Sequence, residues 1–329
     1  MDLAPVSVVI PAYNSEEFIG EAIQSVQAQT LPVSEIIVVD DGSSDRTAEV
    51  AADFGITVIR QAHRGISAAR NAGIRAATQE WIALHDADDI WQARKIEYQW
   101  KALARYPDVG MISCDLTQWR HGEPQPRFNC APADAQNIES CLRYFPRVTA
   151  DLLSDTISYN SPTFLIRRDL FFSAGFFDED VEYVEGVECY LRLMARCPIA
   201  MIKLPLAMQR VHQRNTSADS VGMRLSWISM IDMIREQPDK YPAGAADVLE
   251  KGVFEQLIPL GRTLLTQGRP RQARDLFSRS LKMKFSNRAL LLWAVSFLGP
   301  NASRQLAAIR QGKNSATSRI RDHASMSLS

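Results

Sequence analysis

The chain has 329 residues, a length that fits one large domain or two of modest size. With 46% hydrophobic and 23% charged residues, its composition excludes a mainly disordered chain and allows a sizeable core. Five cysteines without a Cys-x-x-Cys pair exclude a zinc ribbon and a disulfide scaffold, and they indicate a reducing compartment. No secretory signal is predicted, because the first apolar run has the length of a strand and no basic residues precede it.

The near-neutral total charge, with 37 basic and 38 acidic side chains, hides an uneven distribution. Residues 251–329 contain 14 Lys and Arg against 3 Asp and Glu, so this stretch has a net charge of +11. A basic segment can contact nucleic acid, an anionic membrane or a lipid-linked phosphate, or it can be a solvated helical surface. We expect an anionic membrane surface as the partner and no nucleic acid.

Short β-rich runs alternate with amphipathic stretches of helical period over the first 115 residues. This alternation predicts an α/β fold with a mostly parallel sheet, in which ligands lie beyond the carboxyl ends of the strands. The predicted strands are 6–10, 36–39, 56–59, 81–84 and 109–113, and the predicted helices are 16–29, 45–52, 66–77 and 92–105.

The remaining chain is predicted to be less regular at first and helical towards its end. Its four prolines predict that 116–160 is an irregular excursion near an active site. The apolar stretch 289–298 is shorter than the ~20 residues of a membrane span, and we expect a buried helix there, with docking at a membrane interface as the alternative. The other predictions are strands at 161–166, 199–202 and 206–211, a helix at 187–196, helices from 221 onward and a disordered tail at 311–329.

Three predicted strands end in residues suited to binding a ligand. In chain order, these strand ends are Pro11-Ala12-Tyr13-Asn14, Asp40-Asp41-Gly42-Ser43 and His85-Asp86-Ala87-Asp88-Asp89. Parallel topology brings all three to one edge of the sheet. The Asp-x-Asp pattern of Asp86 and Asp88 supplies hard oxygen ligands for Mg²⁺ or Mn²⁺, which would stabilise a diphosphate as a leaving group. Alternatively, this turn contains only an ordinary helix cap at Asp89.

Further candidates lie at the other strand ends and on the third predicted helix. Asp40 closes an apolar strand, where a carboxylate needs a specific donor such as the N–H of a nucleobase. Tyr13 can stack on a flat ring, and Arg70 can reach a nucleobase or a phosphate. The structural alternatives are an ordinary turn at Asp41-Gly42-Ser43 followed by a helix cap, a core position for Tyr13 and a structural ion pair for Arg70.

These stretches resemble the family 2 glycosyltransferases over roughly residues 5–217. The matching motifs are SVVIPAYNSEEFI, EIIVVDDGSSDRT, HRGISAARNAGI and WIALHDADDIW, followed by RRDLFFSAGFFDE and a weaker RVHQRNTS. The resemblance implies the GT-A fold, a Rossmann-like and mostly parallel central sheet flanked by helices, with a helical C-terminal region after it.

The resemblance also implies roles for individual residues. Asp40 would bind the N–H of the base, Arg70 would bind the base or phosphate, and Asp86 with Ala87 would contact the ribose and metal region. Asp88 would be the principal metal ligand, and His212 would reach the diphosphate or the metal. The nucleobase pocket would be lined by Pro11, Ala12 and Tyr13.

One position departs from the family pattern. Family members have Glu-Asp where this chain has Glu185-Gly186, and that Asp serves as the base that deprotonates the acceptor hydroxyl. Glu185 is adjacent and Glu188 lies one helical turn further on, so either could act as the base. Both could also be surface charges at the start of a helix.

The sequence therefore predicts a glycosyltransferase that uses Mn²⁺ or Mg²⁺, and the family resemblance implies that transfer inverts the configuration at C1 of the sugar. Its donor would be a nucleoside diphosphate sugar, with UDP as the expected nucleotide. Its acceptor would be a glycan or a lipid-linked hydroxyl in cell-surface polysaccharide synthesis. The expected location is cytoplasmic, with peripheral attachment to the membrane. A silent nucleotide-sugar-binding protein and a nucleotidyltransferase are the alternatives.

The predicted domain organisation follows the resemblance. A GT-A domain would occupy 1–217, with a nucleotide half at 1–115 and an acceptor half at 116–217. A helical C-terminal region would follow at 218–310, and a disordered tail at 311–329.

Overall fold

The computed structural model describes residues 3–120, 123–126, 138–149, 153, 160–212 and 220–298. The strands are β1 (Ala4–Ala12), β2 (Val33–Asp40), β3 (Thr57–Arg60), β4 (Trp81–Leu84), β5 (Ile90–Trp91), β6 (Met111–Arg120), β7 (Glu123–Pro126), β8 (Leu142–Phe145), β9 (Leu165–Arg167) and β10 (Ile199–Arg210). The helices are α1 (Ile19–Gln27), α2 (Thr47–Ala52), α3 (Ile66–Ala76), α4 (Lys95–Arg105), α5 (Ile138–Cys141), α6 (Arg168–Ala174), α7 (Glu185–Met194), α8 (Ser220–Glu236), α9 (Ala245–Thr266), α10 (Pro270–Met283) and α11 (Asn287–Val295).

A single mixed sheet organises the described part of the first 212 residues. Its strand order is β3-β2-β1-β4-β9-β6-β10-β5, with β7 paired to β6 and β8 paired to β10. The pairings place β1, β2, β3, β4, β6 and β10 in one direction, whereas β5, β7, β8 and β9 run the opposite way. The predicted α/β class with a mostly parallel sheet is confirmed.

Helix α3 packs directly on the centre of this sheet, where β1 and β2 are apolar. Val9 is fully buried, and Val39 is buried beside it. A Cβ atom at Gly73 of α3 would overlap the Val9 side chain and press on Val39 at 3.2 Å. Because only glycine allows this approach, the helix holds Arg70 close to the strand ends.

The expectation of an irregular segment is wrong for the described residues 116–120, 123–126 and 138–145, which form β6, β7, α5 and β8. Strand β6 extends to Arg120, and Pro124 and Pro126 lie in β7, opposite Trp119 and Thr117. Among described strands β7 pairs only with β6, so its prolines remove no hydrogen bond from a second neighbour. The predicted excursion at 127–137, 150–152 and 154–159 lies outside the described residues.

Three other boundaries differ from the prediction. The strands expected at 199–202 and 206–211 are one strand, β10, whose pairing with β6 shifts register around Pro205. The segment expected as a strand from 161 begins with a 3₁₀ turn, and β9 follows antiparallel to β4. Helix α7 starts at Glu185, so Gly186 lies within its first turn rather than before the helix.

The chain divides into two compact units, 1–248 and 249–329, and the division falls within α9. The domain boundary predicted after residue 217 stays a prediction. In the second unit, α11 is only half-buried, because Leu290 and Leu291 are exposed. The expectation of a buried helix is therefore corrected to a half-buried one. The tail 311–329 lies outside the described residues. No described helix has the length and apolarity that crossing a bilayer requires.

Candidate active site

The ends of β1, β2 and β4 meet at one edge of the sheet, as the sequence predicted. The central strand β1 pairs in parallel with β2 and with β4, and Ala12 lies opposite Asp40. The backbone N–H of His85 donates to the carbonyl of Val9 at 3.0 Å, which fixes the turn after β4 beside β1. The Asp86–Asp89 segment therefore follows this edge directly.

Arg70 joins this edge to helix α7. Its Nη2 donates to Asp86 Oδ1 at 3.0 Å and its Nη1 to Glu185 Oε1 at 2.8 Å. Burial opposes the charge of Arg70, but Asp86, Tyr190 and Glu185 outweigh it and raise the pKa of the guanidinium. Its Nε is buried without a hydrogen-bond partner among the described residues. One cation therefore faces two carboxylates, and the cluster keeps excess negative charge.

Asp88 and His212 approach each other beside that cluster. His212 Nε2 lies 2.9 Å from Asp88 Oδ2, and its ring stacks on Phe18 at 5.0 Å between centroids. Burial and the charge of Asp86 raise the pKa of Asp88, while the contact with His212 opposes the shift. The pKa of Asp89 is raised further by burial and by both neighbouring carboxylates. Such crowding of carboxylates favours a cation at this turn.

The residues expected at the nucleobase differ in exposure. Pro11, Ala12 and Asp40 are buried, and Asp40 Oδ1 accepts from the backbone N–H of Ser43 at 3.1 Å. Tyr13 is 47% exposed and stacks on His63 at 4.1 Å between ring centroids. The pair forms an aromatic wall next to the β1 end.

Sequence reasoning missed Asp41 and His63. The carboxylate of Asp41, 2% exposed, accepts from Gln61 Nε2 at 2.7 Å and from the backbone N–H groups of Arg64 and Gly65 at 3.0 and 2.8 Å. Asp41 thus holds the loop that leads into α3 and places Arg70. The doubled Asp at the end of β2 was a signal for Asp41, and His63 is the first residue of the HRGISAARNAGI motif, in which only Arg70 was given a role.

Glu188 lies in a separate, closed network on the same helix as Glu185. Its two carboxylate oxygens accept from Arg192 Nε at 2.5 Å and Nη2 at 2.8 Å, and the Tyr241 hydroxyl donates to it at 2.7 Å. Glu188 is 1% exposed. Gly186 has room for a side chain, because a Cβ there would meet Tyr190 no closer than 3.4 Å.

The sequence profile of Glycosyl transferase family 2 matches residues 7–172, half of the chain. The chain belongs to this family. The match includes the three strand ends and Arg70, so the family's sequence pattern coincides with the edge at which these side chains meet.

Among family 2 relatives, the E. coli protein UDP-Glc:alpha-D-GlcNAc-diphosphoundecaprenol beta-1,3-glucosyltransferase WfgD is 39% identical over 103 residues, 30% of this chain and 41% of that protein. Other curated glycosyltransferases match over 194 to 222 residues at 29 to 30% identity. The chain spans between 53% and 65% of the length of those proteins.

Solved structures show that this family 2 chain has the GT-A fold. S. aureus TarS 1–349 in complex with UDP-GlcNAc superimposes with a TM-score of 0.63 at 17% identity, covering 93% of this chain and 92% of that one. The Pyrobaculum calidifontis mannosyltransferase PcManGT, in complex with GDP-Man and Mn²⁺, gives a TM-score of 0.55 at 20% identity, covering 94% and 87%. The expected GT-A class is thereby confirmed.

Proposed function

We propose that this chain transfers a sugar from a nucleoside diphosphate sugar to the hydroxyl of a glycan or lipid-linked acceptor in cell-surface polysaccharide synthesis. UDP is the proposed nucleotide, because the names of WfgD and of the TarS complex both contain a UDP-sugar. WfgD acts on a diphosphoundecaprenol-linked sugar, which supports a lipid-linked acceptor. The single observation that carries the proposal is Arg70, which connects the Asp-x-Asp turn to Glu185.

The donor would lie along the shared strand edge. Its base would stack beside Tyr13, with Pro11 and Ala12 below it, and its N–H would donate to Asp40. Asp86 and Ala87 would contact the ribose. Arg70 would move its hydrogen bonds from a carboxylate to a phosphate oxygen as the diphosphate enters.

A divalent cation fits this donor set. Asp88 and His212 supply oxygen and nitrogen ligands 2.9 Å apart, and Asp86 adds negative charge beside them. Among the described residues, no three acidic, His or Cys side chains form a metal-binding group. In Mg²⁺ sites, one or two carboxylates share the ion with substrate phosphates, and the diphosphate of the donor would supply those phosphates here. When bound, the cation would offset the charge of the diphosphate leaving group.

Glu185 is the proposed base. The acceptor oxygen would attack C1 of the sugar, its proton would pass to Glu185, and the bond from C1 to the diphosphate oxygen would break with its electron pair leaving on the diphosphate. This single displacement inverts the configuration at C1. Glu188 is less suited, because Arg192 and Tyr241 occupy both of its oxygens.

The proposal extends to location. The stretch with a net charge of +11, residues 251–329, would bring the protein to an anionic cytoplasmic membrane face, where lipid-linked acceptors are held.

The test is calorimetric titration of UDP with and without Mn²⁺, followed by donor-dependent UDP release with each UDP-sugar and a lipid extract as acceptor. Asp88→Ala should remove the Mn²⁺ requirement and lower UDP affinity by at least about 100-fold, the loss expected when a ligand and its ion are removed. Asp53→Asn, an exposed acidic change elsewhere, is the matched control.

Three outcomes would contradict the proposal. Equal UDP affinity of the wild type and Asp88→Ala in Mn²⁺ would remove the metal assignment. Tight UDP binding without UDP release from the donor in the presence of any acceptor would favour a silent nucleotide-sugar-binding protein. Formation of a nucleotide sugar from a nucleoside triphosphate and a sugar phosphate would favour a nucleotidyltransferase.

A further inference from the structure

Helices α10 and α11 form a hairpin in the second compact unit. Trp293 Nε1 donates to Ser278 Oγ at 2.9 Å, and Arg274 Nη2 donates to the carbonyl of Ser296 at 2.9 Å. The Arg274 guanidinium also lies 3.6 Å from the centroid of the Phe297 ring. These contacts fix the orientation of α11 against α10.

Two opposite sides of α11 are apolar, and only one of them is buried. Ala289 and Leu292 lie on the buried side of α11. Leu290 and Leu291 are each 43% exposed, and Phe297, two turns further on, is 55% exposed. The helical period of 3.6 residues places Leu290 and Leu291 at adjacent positions on one side, and Phe297 follows two residues after the end of α11. A helix on a water-soluble surface normally shows polar residues there.

Basic residues lie close to α11 in the sequence. Lys282, Lys284 and Arg288 are exposed at the junction of the two helices, together with Phe285, which is 68% exposed. The hairpin, residues 270–298, contains six Lys and Arg against one Asp. Exposed Phe and Leu side chains bordered by Lys and Arg are typical of helices that lie in the interface of an anionic bilayer.

We propose that this hairpin surface, formed by Phe285, Leu290, Leu291 and Phe297 with its rim of Lys282, Lys284 and Arg288, inserts into the headgroup region of an anionic lipid bilayer. The inference rests on the membrane contact of the proposed function and goes beyond it, because it assigns the contact to apolar insertion at named side chains.

The charge pattern favours a bilayer over a second copy of the chain. A two-fold contact would place the same surface against itself and bring the two sets of basic residues together. That arrangement is repulsive, whereas phosphate headgroups of opposite charge attract the same residues.

The experiment compares the full chain with its double variant Leu290→Ser, Leu291→Ser on vesicles. The vesicles are phosphatidylcholine with about one third phosphatidylglycerol, and pure phosphatidylcholine is the reference. Cosedimentation should show at least about tenfold weaker partitioning of the double variant, since each buried Leu contributes a sizeable transfer free energy. Phe172→Ser, which removes a side chain that is 54% exposed in the first unit, should bind as the wild type does.

Two further measurements separate insertion from surface attraction. Vesicles with brominated acyl chains should quench the fluorescence of the wild type, and a Trp293→Phe variant should lose most of that quenching. The triple variant Lys282→Gln, Lys284→Gln, Arg288→Gln should lower binding to anionic vesicles and reduce its dependence on salt.

Several results would overturn the inference. One is unchanged vesicle partitioning of the double variant. Another is a wild type that binds no vesicles and sediments as a dimer, together with a double variant that sediments as a monomer. A large loss of thermal stability in the variant with unchanged vesicle binding would show that another part of the chain covers α11. UDP affinity of the variants, measured in solution, should stay unchanged, which keeps a failure here distinct from a failure of the proposed function.

Discussion

Two buried arginine–glutamate pairs lie at the two ends of the short helix α7, and they differ in charge balance and in hydrogen-bond partners. Arg70 reaches Glu185 at the start of α7 and also Asp86, so one cation serves two carboxylates and its Nε has no partner among the described residues. Arg192 reaches Glu188 and three backbone carbonyls, of Ala174, Gly175 and Phe176.

The difference indicates which pair is available for chemistry. Around Arg192 the charges balance and every contact lies within the fold, so the network stabilises the loop after α6. Around Arg70 negative charge remains, and the hydrogen bonds are divided between a strand end and a helix. A ligand that brings phosphate oxygens can displace contacts of Arg70, whereas it would gain nothing at Arg192.

The largest expected effect is a loss of turnover when Glu185 is replaced. Glu185→Gln keeps a hydrogen bond to Arg70 but cannot accept the proton of the acceptor, so turnover should fall by roughly 10²–10⁴ while UDP affinity stays the same. Single-turnover transfer and UDP titration provide the two readouts. Glu182→Gln, an exposed change before the helix, is the matched control.

Gly186→Asp also tests whether Glu185 is the base. A Cβ at this position would meet Tyr190 at 3.4 Å, an ordinary van der Waals contact, and the substitution creates the Glu-Asp pair that the family resemblance implies. If Glu185 is the base, this variant should not exceed the wild-type rate. Rapid wild-type transfer that survives Glu185→Gln would show that the proton leaves by another route.

The second effect concerns the stability of the balanced pair. Arg192→Leu leaves Glu188 buried beside Tyr241 and deprives three carbonyls of their donor, so the free energy of unfolding should fall by about 3–5 kcal/mol. Replacing both partners, in Glu188→Leu with Arg192→Leu, should cost less, because no buried charge remains. Urea denaturation monitors both variants. A double variant less stable than the single one would contradict the assignment of Arg192 to charge balance.

The smallest expected effect is a pH dependence of stability caused by Lys95, a buried cation with no carboxylate partner among the described residues. Lys95 is fully buried, its Nζ donates to Gln99 Oε1 at 2.9 Å, and the ammonium lies 3.9 Å from the Trp91 ring centroid. Burial lowers the pKa of Lys95 to about 8. Of Arg70, Lys95 and Arg192, the buried cations among the described residues, Lys95 alone has no carboxylate partner there, and its pKa shifts in the opposite direction to those of the two arginines.

The sign of the pH effect follows from this shift. Between pH 8 and the usual value of 10.5, the unfolded chain holds a proton that folded Lys95 has lost, so stability rises with pH in that window. Relative to Lys95→Met, the wild type should gain about 2 kcal/mol of unfolding free energy from about pH 7.5 to 9.5. Lys101→Met, half exposed on the same helix, should show no such gain.

The sequence by itself determined the parallel core and its ligand edge. Alternating apolar runs and helical periods located β1, β2, β3, β4 and α3, because buried parallel strands are nearly uniformly apolar and their carboxyl ends share an edge. The motifs then identified Asp40, Arg70 and the Asp86–Asp88 pair as candidates, since a polar group at the end of such a strand needs a partner.

Only the tertiary structure decided how those groups are partnered. Glu185 and Glu188 are equivalent in the sequence, one turn apart, yet α7 turns the first towards Arg70 and the second towards Arg192 and Tyr241. A motif marked Arg70, 115 residues before Glu185, but not its pairing with Glu185, and no local pattern marked Tyr241, 53 residues after Glu188. The physical reason is that periodicity fixes which side of an element is buried, whereas the identity of a buried charge's partner depends on contacts between segments far apart in the chain.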